Sequence, residues 1–125
     1  MNRHLPNWRS LLYVPASEER FVAKAHERGA DAIILDLEDG VAPDSKARAR
    51  AGLAAAAASA RQNGADIVVR INRPLRMAAE DIAAAAAAGA DGVICTKMMG
   101  ADHVRLLSEL AAESELAASS DSRRT

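Results

Sequence analysis

The sequence predicts an α/β fold built from four βα units, the (βα)4 portion of a TIM-type (β/α)8 barrel. Three observations predict it. Four short aliphatic runs alternate with alanine-rich helical stretches. The tripeptide Gly-Ala-Asp recurs as Gly29-Ala30-Asp31, Gly64-Ala65-Asp66 and Gly89-Ala90-Asp91, each time just after a helical stretch and just before an aliphatic run. The runs begin near residues 11, 32, 67 and 92. That spacing makes a unit of about 27 residues, and eight such units need somewhat over 200, near the ~250 of a (β/α)8 barrel. The rival is an open four-stranded α/β sheet, but no strand is followed by a glycine-rich phosphate loop such as GxGxxG.

Each element has a local cause. Leu11-Leu12-Tyr13-Val14 is the first strand and stops at Pro15. Ser17 is positioned to cap a helix over Arg20 to Glu27, which ends at Gly29. The second strand is Ala32 to Leu37. Asp44 or Ser45 then caps a helix from Lys46 to Arg61, ended by Asn63-Gly64. The third strand, Ile67 to Asn72, precedes a helix from Met77 to Ala88 that ends at Gly89. The fourth, Gly92 to Thr96, precedes a helix from Asp102 to Leu116. The runs lack polar alternation, which is how strands covered on both faces read. Each Gly-Ala-Asp reads as a left-handed helix-terminating glycine followed by a short loop into a strand. Residues 1–8 form an N-terminal extension, 9–113 the βα region and 114–125 a tail whose Ser-Ser-Asp-Ser-Arg-Arg-Thr end predicts disorder.

Composition narrows the classes. The chain has 125 residues and a net charge of −1, which gives no electrostatic footprint for nucleic acid. Half of it is hydrophobic, yet 30 of those residues are alanine and only 25 are Val, Ile, Leu or Phe. Burial stabilises in proportion to apolar area, so the core is thin for the length, as half a barrel would be. One cysteine excludes an internal disulfide framework. No apolar run approaches the roughly 20 residues of a membrane span, and the N-terminus lacks the apolar core of a signal peptide. The expected setting is cytoplasmic, without nucleic-acid or membrane partners.

Chemistry in a parallel α/β array belongs at the C-terminal ends of the strands. There the sequence places Asp36, Glu38 and Asp39 after strand 2, Arg70 and Asn72 on strand 3, and Thr96-Lys97 after strand 4. Three carboxylates within four residues repel one another and are costly to desolvate. They fit either an acidic turn at a helix start or a network balanced by Arg70, a metal-bound water, or both. Arg70 stays charged inside an aliphatic strand and needs a partner. It fits a structural ion pair with Asp36 or Glu38, an anion clamp for a substrate carboxylate or carbonyl oxygen, or both at once. Lys97 faces the same end, though nothing near it argues for the depressed pKa of a Schiff-base lysine. Cys95 reads as a small buried hydrophobe and Met98-Met99 as packing. His4, His26 and His103 show no metal-ligand spacing.

These residues resemble a known family. Arg9-Ser10-Leu11-Leu12-Tyr13-Val14-Pro15, Arg20-Phe21, Lys24-Ala25, GADAIILDLEDGVAPDSKARAR with Lys46 and Arg50, VVRIN and DGVICTK are similar to the HpcH/HpaI aldolase and citrate lyase β-subunit superfamily. The likeness runs from Arg9 to about Leu110 and is nearer the citrate lyase β-like branch, with malyl-CoA and citramalyl-CoA lyases. It implies a (β/α)8 barrel and Mg²⁺-dependent making or breaking of a C–C bond in acyl-CoA thioesters of hydroxy acids, through a metal-stabilised enolate. By that resemblance Arg70 stabilises the oxygen that gains charge. Asp36, Glu38 and Asp39 support Arg70 and the water shell of the metal, and Arg20 and Lys24 lie near the CoA phosphates; Asn72 and Lys97 are further substrate-binding candidates by their place at the strand ends. Asp39 stands where the aldolase branch has a histidine base. Thr96-Lys97-Met98-Met99 stands where the family has Pro-Lys-x-Glu, so the acid of that motif is missing. The family's metal ligands come from later strands, and no metal ligand is assigned in this chain.

The sequence-based expectation is therefore the N-terminal half of a C–C lyase, inactive alone, acting on a small acyl-CoA or hydroxy/keto acid and assembling as a homo-oligomer. The alternatives are a non-catalytic half-barrel that assembles with itself or a full-length relative, and a small CoA-binding module.

Overall fold

The computed structural model describes residues 7–96, 100–113 and 117–120; Lys97, Met98, Met99 and His4 lie outside them. Its strands are β1 (Leu11–Pro15), β2 (Ala32–Asp36), β3 (Asp66–Ile71), β4 (Gly92–Cys95) and β5 (Ala117–Ser120). Its helices are α1 (Glu19–Ala25), α2 (Lys46–Ala51), α3 (Leu53–Ala60), α4 (Leu75–Ala87) and α5 (Ala101–Glu113), with short 3₁₀ turns at His26–Arg28 and Pro43–Ser45. The strands pair in parallel in chain order, β1-β2-β3-β4-β5. This is the expected α/β alternation, with β1 and β5 as the open edges of the sheet among the described residues.

Alternation of side chains along the strands divides the sheet into two faces. Ile33, Leu35, Ile67, Val69, Ile71, Val93 and Cys95 pack with the helices in one large core. Ile34, Val68 and Ile94 point to the other face, where Trp8 covers them. The helix contribution is largely alanine. Ala56, Ala57 and Ala60 of α3 and Ala78 and Ala85 of α4 are buried, and their small side chains let the helix backbones lie close to the strands. No described helix is long and apolar enough to cross a membrane.

Local details depart from the sequence reading in four places. Neither Ser17 nor Asp44 or Ser45 supplies a side-chain cap: α1 and α2 have Glu18 and Ser45 at their N-caps, without side-chain cap hydrogen bonds. The helix expected over Lys46 to Arg61 is divided at Gly52 into α2 and α3, as fits a residue that loses more backbone entropy in a helix than any other. Helix α4 starts at Leu75, directly after Pro74, rather than at Met77. The tail boundary at residue 113 also moves, because Ala117–Ser120 pairs with β4, Cys95 opposite Ser120. Strand addition needs only backbone N–H and C=O groups, so an edge can recruit a segment poor in large apolar side chains.

The Gly-Ala-Asp repeats do more than end helices. Gly29, Gly64 and Gly89 all adopt positive φ, between 76° and 89°, as expected for left-handed helix ends. Two of the aspartates then tie the incoming strand to its neighbour. Asp31 Oδ2 accepts from the Arg9 and Ser10 N–H groups at the start of β1 (2.6 and 3.3 Å). Asp91 Oδ2 accepts from the Ile67 N–H at the start of β3 (2.8 Å), and its own N–H donates to the Ile67 carbonyl (2.7 Å). Asp66 instead accepts from Trp8 Nε1 at 2.7 Å, fixing the indole that covers the second face. Parallel strands lack a hairpin to set their register, and these bonds set it at the N-terminal end. Ile67 is fully buried, so Asp91→Ala strands its N–H. The expected loss is about 1–3 kcal/mol of folding stability, read by urea denaturation, with Asp91→Asn retaining part of it through its amide oxygen.

Candidate functional site

The C-terminal ends of β2 and β3 converge on one pair. Register places Asp36 directly beside Arg70. Arg70 Nε donates to Asp36 Oδ1 (2.9 Å) and Nη2 to Oδ2 (2.7 Å), the bidentate fork that a guanidinium and a carboxylate form best. The turn after β2 closes on the same carboxylate: the Glu38 N–H donates to Oδ1 and the Gly40 N–H to Oδ2, each at 2.8 Å. A carboxylate has about four acceptor positions, and these four donors occupy them. The side chain of Asp36 is 5% exposed and that of Arg70 18%.

The electrostatics follow from this arrangement. Burial pushes the Asp36 carboxyl up, but the Arg70 hydrogen bonds, the Glu38 and Gly40 N–H donors and the charge of Arg70 together outweigh it. They hold Asp36 below its ordinary 3.8. The Asp36 hydrogen bonds push the Arg70 guanidinium up, against its burial and with the charges of Asp36 and Glu38 adding to the rise. Glu38 is buried, with Oε1 3.7 Å from Arg70 Nε. On the other side the Tyr13 ring lies against the guanidinium, 5.0 Å from centroid to Cζ, within cation–π range. Asp39 is exposed in the same turn.

Two further anchors surround the pair. Lys46, at the start of α2, donates from Nζ to the Leu37 and Glu38 carbonyls (3.0 and 2.6 Å), pinning the acidic turn to the helix layer. Asn72, just past β3, donates its N–H and Nδ2 to Asp81 Oδ2 (2.9 and 2.7 Å). Asp81 is fully buried on α4 and receives Arg50 Nε on Oδ1 at 2.9 Å. The Asn72 amide is thereby engaged with the helix layer. Arg20 and Lys24 are exposed on α1, with Arg20 against the Phe21 ring at 5.9 Å. Lys97 falls outside the described residues.

Sequence reasoning named Asp36, Glu38 and Arg70, which the fold gathers, and did not single out Tyr13 or Asp81. Both left a signal. Tyr13 is the chain's one tyrosine and lies within the first aliphatic run. Asp81 lies on the buried stripe of α4 with Ala78, Ile82 and Ala85, where a charge is costly unless paired.

A family model described as HpcH/HpaI aldolase/citrate lyase matches residues 9–122. Similar proteins include (3S)-malyl-CoA thioesterases from three strains of Cereibacter sphaeroides, each 38% identical over 104 residues. The match spans 82% of this chain and 36% of each relative, so the chain covers about a third of their length. Members of that family generally depend on a divalent metal. Among the described residues no three His, Cys, Asp or Glu side chains converge on a possible ion position, and the acceptor positions of Asp36 are filled from within the protein. The described residues therefore do not fit a cation site.

Two measurements check this site. A carboxylate whose folded pKa is lowered stabilises the fold above its ordinary value, and that stability is lost as pH falls through the folded pKa. Asp36→Asn is expected to cost about 3 kcal/mol near pH 7, since it breaks a buried ion pair. The gap between wild type and Asp36→Asn then narrows as pH drops below 3.8, which denaturation curves across pH would show. A Cβ on Gly40 would lie 2.6 Å from Asp36 Oδ2. Gly40→Ala is expected to lower stability by about 1–3 kcal/mol through that clash, and Asp36→Asn should remove little of this cost because the amide has the same shape.

Proposed function

The chain belongs to the HpcH/HpaI aldolase/citrate lyase family, and on that premise we propose that Asp36 and Arg70 form the anion-stabilising part of a site for acyl-CoA thioesters of hydroxy acids. The observation that carries this reading is the bidentate Asp36–Arg70 fork at the strand C-terminal ends, where this architecture holds its chemistry. The name of the C. sphaeroides relatives, (3S)-malyl-CoA thioesterase, supports a malyl-CoA-like substrate class.

In this reading Arg70 acts on the reacting atoms and Asp36 acts through Arg70. When the C–C bond next to the hydroxyl carbon breaks, its electron pair moves onto the thioester carbonyl oxygen. Alternatively, water adds to that carbonyl. Either way the oxygen gains negative charge, and a guanidinium fixed beforehand stabilises it without reorganising. Asp36 is a positioning residue: its lone pairs are occupied and its proton affinity is lowered, both wrong for a general base. Glu38 and Asp39 remain the carboxylates for proton transfer. Arg20 and Lys24, on the helix that follows β1, are offered to the CoA phosphates.

A second reading has its own observation. On β1, an edge strand, Leu11 and Tyr13 are each 45% exposed, and an open, apolar strand edge favours pairing with another chain. In that reading the chain assembles with itself or a longer relative. Light scattering tests this second reading, because a monodisperse monomer overturns assembly.

The substrate reading is tested by titrating the chain with (3S)-malyl-CoA in a calorimeter. The expected result is saturable binding that weakens about tenfold or more in Arg70→Lys, which keeps the charge and loses the fork. Equal binding by wild type and Arg70→Lys would overturn the role given to Arg70. Acetyl-CoA or free CoA among the products of any turnover distinguishes C–C cleavage from thioester hydrolysis.

A further inference from the structure

Thr96 carries a feature at the strand ends that the Arg70 site has not used. It is 5% exposed, and among the described residues its Oγ1 is buried without a hydrogen-bond partner. Buried hydroxyls are nearly always paired in native proteins, and an exception calls for a cause. Position supplies one. Ile94 pairs in register with Arg70, and Thr96 lies two residues further along the chain, directly after the end of β4 at Cys95. Side chains alternate along a strand, and continuing that alternation one residue past Cys95 puts Thr96 on the side of Ile94 and Arg70, about 6–7 Å beyond Ile94 in the strand direction. Glu38 stands in the same relation to Asp36, so both lie at the end of the sheet where a ligand held by Arg70 would rest.

We propose that the Thr96 hydroxyl is a substrate-contacting group that donates a hydrogen bond to the acid carboxylate of a ligand whose other end, a carbonyl or carboxylate oxygen, faces Arg70. This rests on the anion-binding reading of Arg70 and adds a second contact to it. The contact makes a chemical distinction. Arg70 recognises negative charge, whereas a buried hydroxyl at a fixed offset rewards an acid with a second oxygen function within a few carbons. A two- to four-carbon hydroxy acid, keto acid or dicarboxylate satisfies both, and acetate satisfies only the first. The hydroxyl also costs stability while no ligand is bound, because it stays buried without a partner among the described residues. Valine has the same shape without the hydroxyl, so Thr96→Val separates binding from packing: it removes the ligand contact and relieves the burial cost.

The test uses the full chain and L-malate. The sequence has two threonines, Thr96 and Thr125, so protein labelled with ¹³C at threonine methyls gives two signals, and Thr96→Val identifies one. Arginine Nε–H signals, assigned with Arg70→Lys, report Arg70 in the same titration. The Thr96 methyl and Arg70 Nε signals are expected to move along one binding curve while Thr125 stays still. L-malate should bind Thr96→Val about tenfold more weakly than wild type and Thr96→Ser within about twofold, and acetate should discriminate little between them. The melting temperature of Thr96→Val should equal or exceed that of wild type. Movement of Arg70 without Thr96, or wild-type affinity in Thr96→Val, overturns this contact and leaves the Arg70 reading standing. A clear drop in the melting temperature of Thr96→Val assigns the hydroxyl a structural role and also overturns it. If neither signal moves at saturating L-malate, this inference fails, while the Arg70 reading is decided separately by (3S)-malyl-CoA binding to wild type and Arg70→Lys.

Discussion

The Asp36–Arg70 fork is the interaction on which the functional end of this sheet depends. It joins two neighbouring parallel strands where they leave the sheet. It also organises the turn after β2, because the Glu38 and Gly40 N–H groups close on the same carboxylate. A single side chain thus fixes a register, a turn and the orientation of a cation. Each element costs conformational entropy to order, and here one set of four hydrogen bonds orders all three. A charge buried this deeply is tolerated only with its partner in place. The pair therefore forms as a unit.

Around it, the polar network extends into the helix layer. Lys46 holds the acidic turn by two carbonyls, and Asp81 joins Asn72 at the end of β3 to Arg50 on α2. Both networks cross from sheet to helices, where the alanines of α3 and α4 allow close approach. The thin alanine core and the buried polar links are complementary. Small side chains give limited burial energy but bring backbones near enough for short side chains to reach between layers. At the opposite end of the strands, Asp31, Asp66 and Asp91 serve the same purpose with simpler means, and Trp8 covers the second face.

Much of the fold was legible in particular residues. Gly29, Gly64 and Gly89 end helices because glycine takes positive φ without a steric penalty, a property that depends on no distant neighbour. The aliphatic runs mark strands because strands covered on both faces lose their polar alternation. The placement of Asp36, Glu38 and Arg70 at strand ends followed from where those runs stop. Less legible were the ends of helices. Ser17 and Ser45 look like caps by type, yet a cap hydrogen bond depends on a side-chain rotamer and an entry angle that composition does not encode. The fifth strand was illegible for a different reason: its pairing is a backbone interaction with an open edge and leaves little trace in side-chain pattern.

The sequence by itself determined the order of strands and helices, the turns that separate them and the set of charged residues gathered at one end. These are short-range properties, set by periodicity and by the conformational preferences of residues a few positions apart. Only the tertiary structure decided which partners meet. It chose Asp36 as the partner of Arg70 across 34 residues, engaged the Asn72 amide with Asp81, laid Tyr13 on the guanidinium and left the Thr96 hydroxyl buried without a partner among the described residues. The physical reason is register. A shift of one residue between parallel strands turns every side chain to the other face. That register is fixed by the assembled sheet and its polar links, and not by any one segment of the chain.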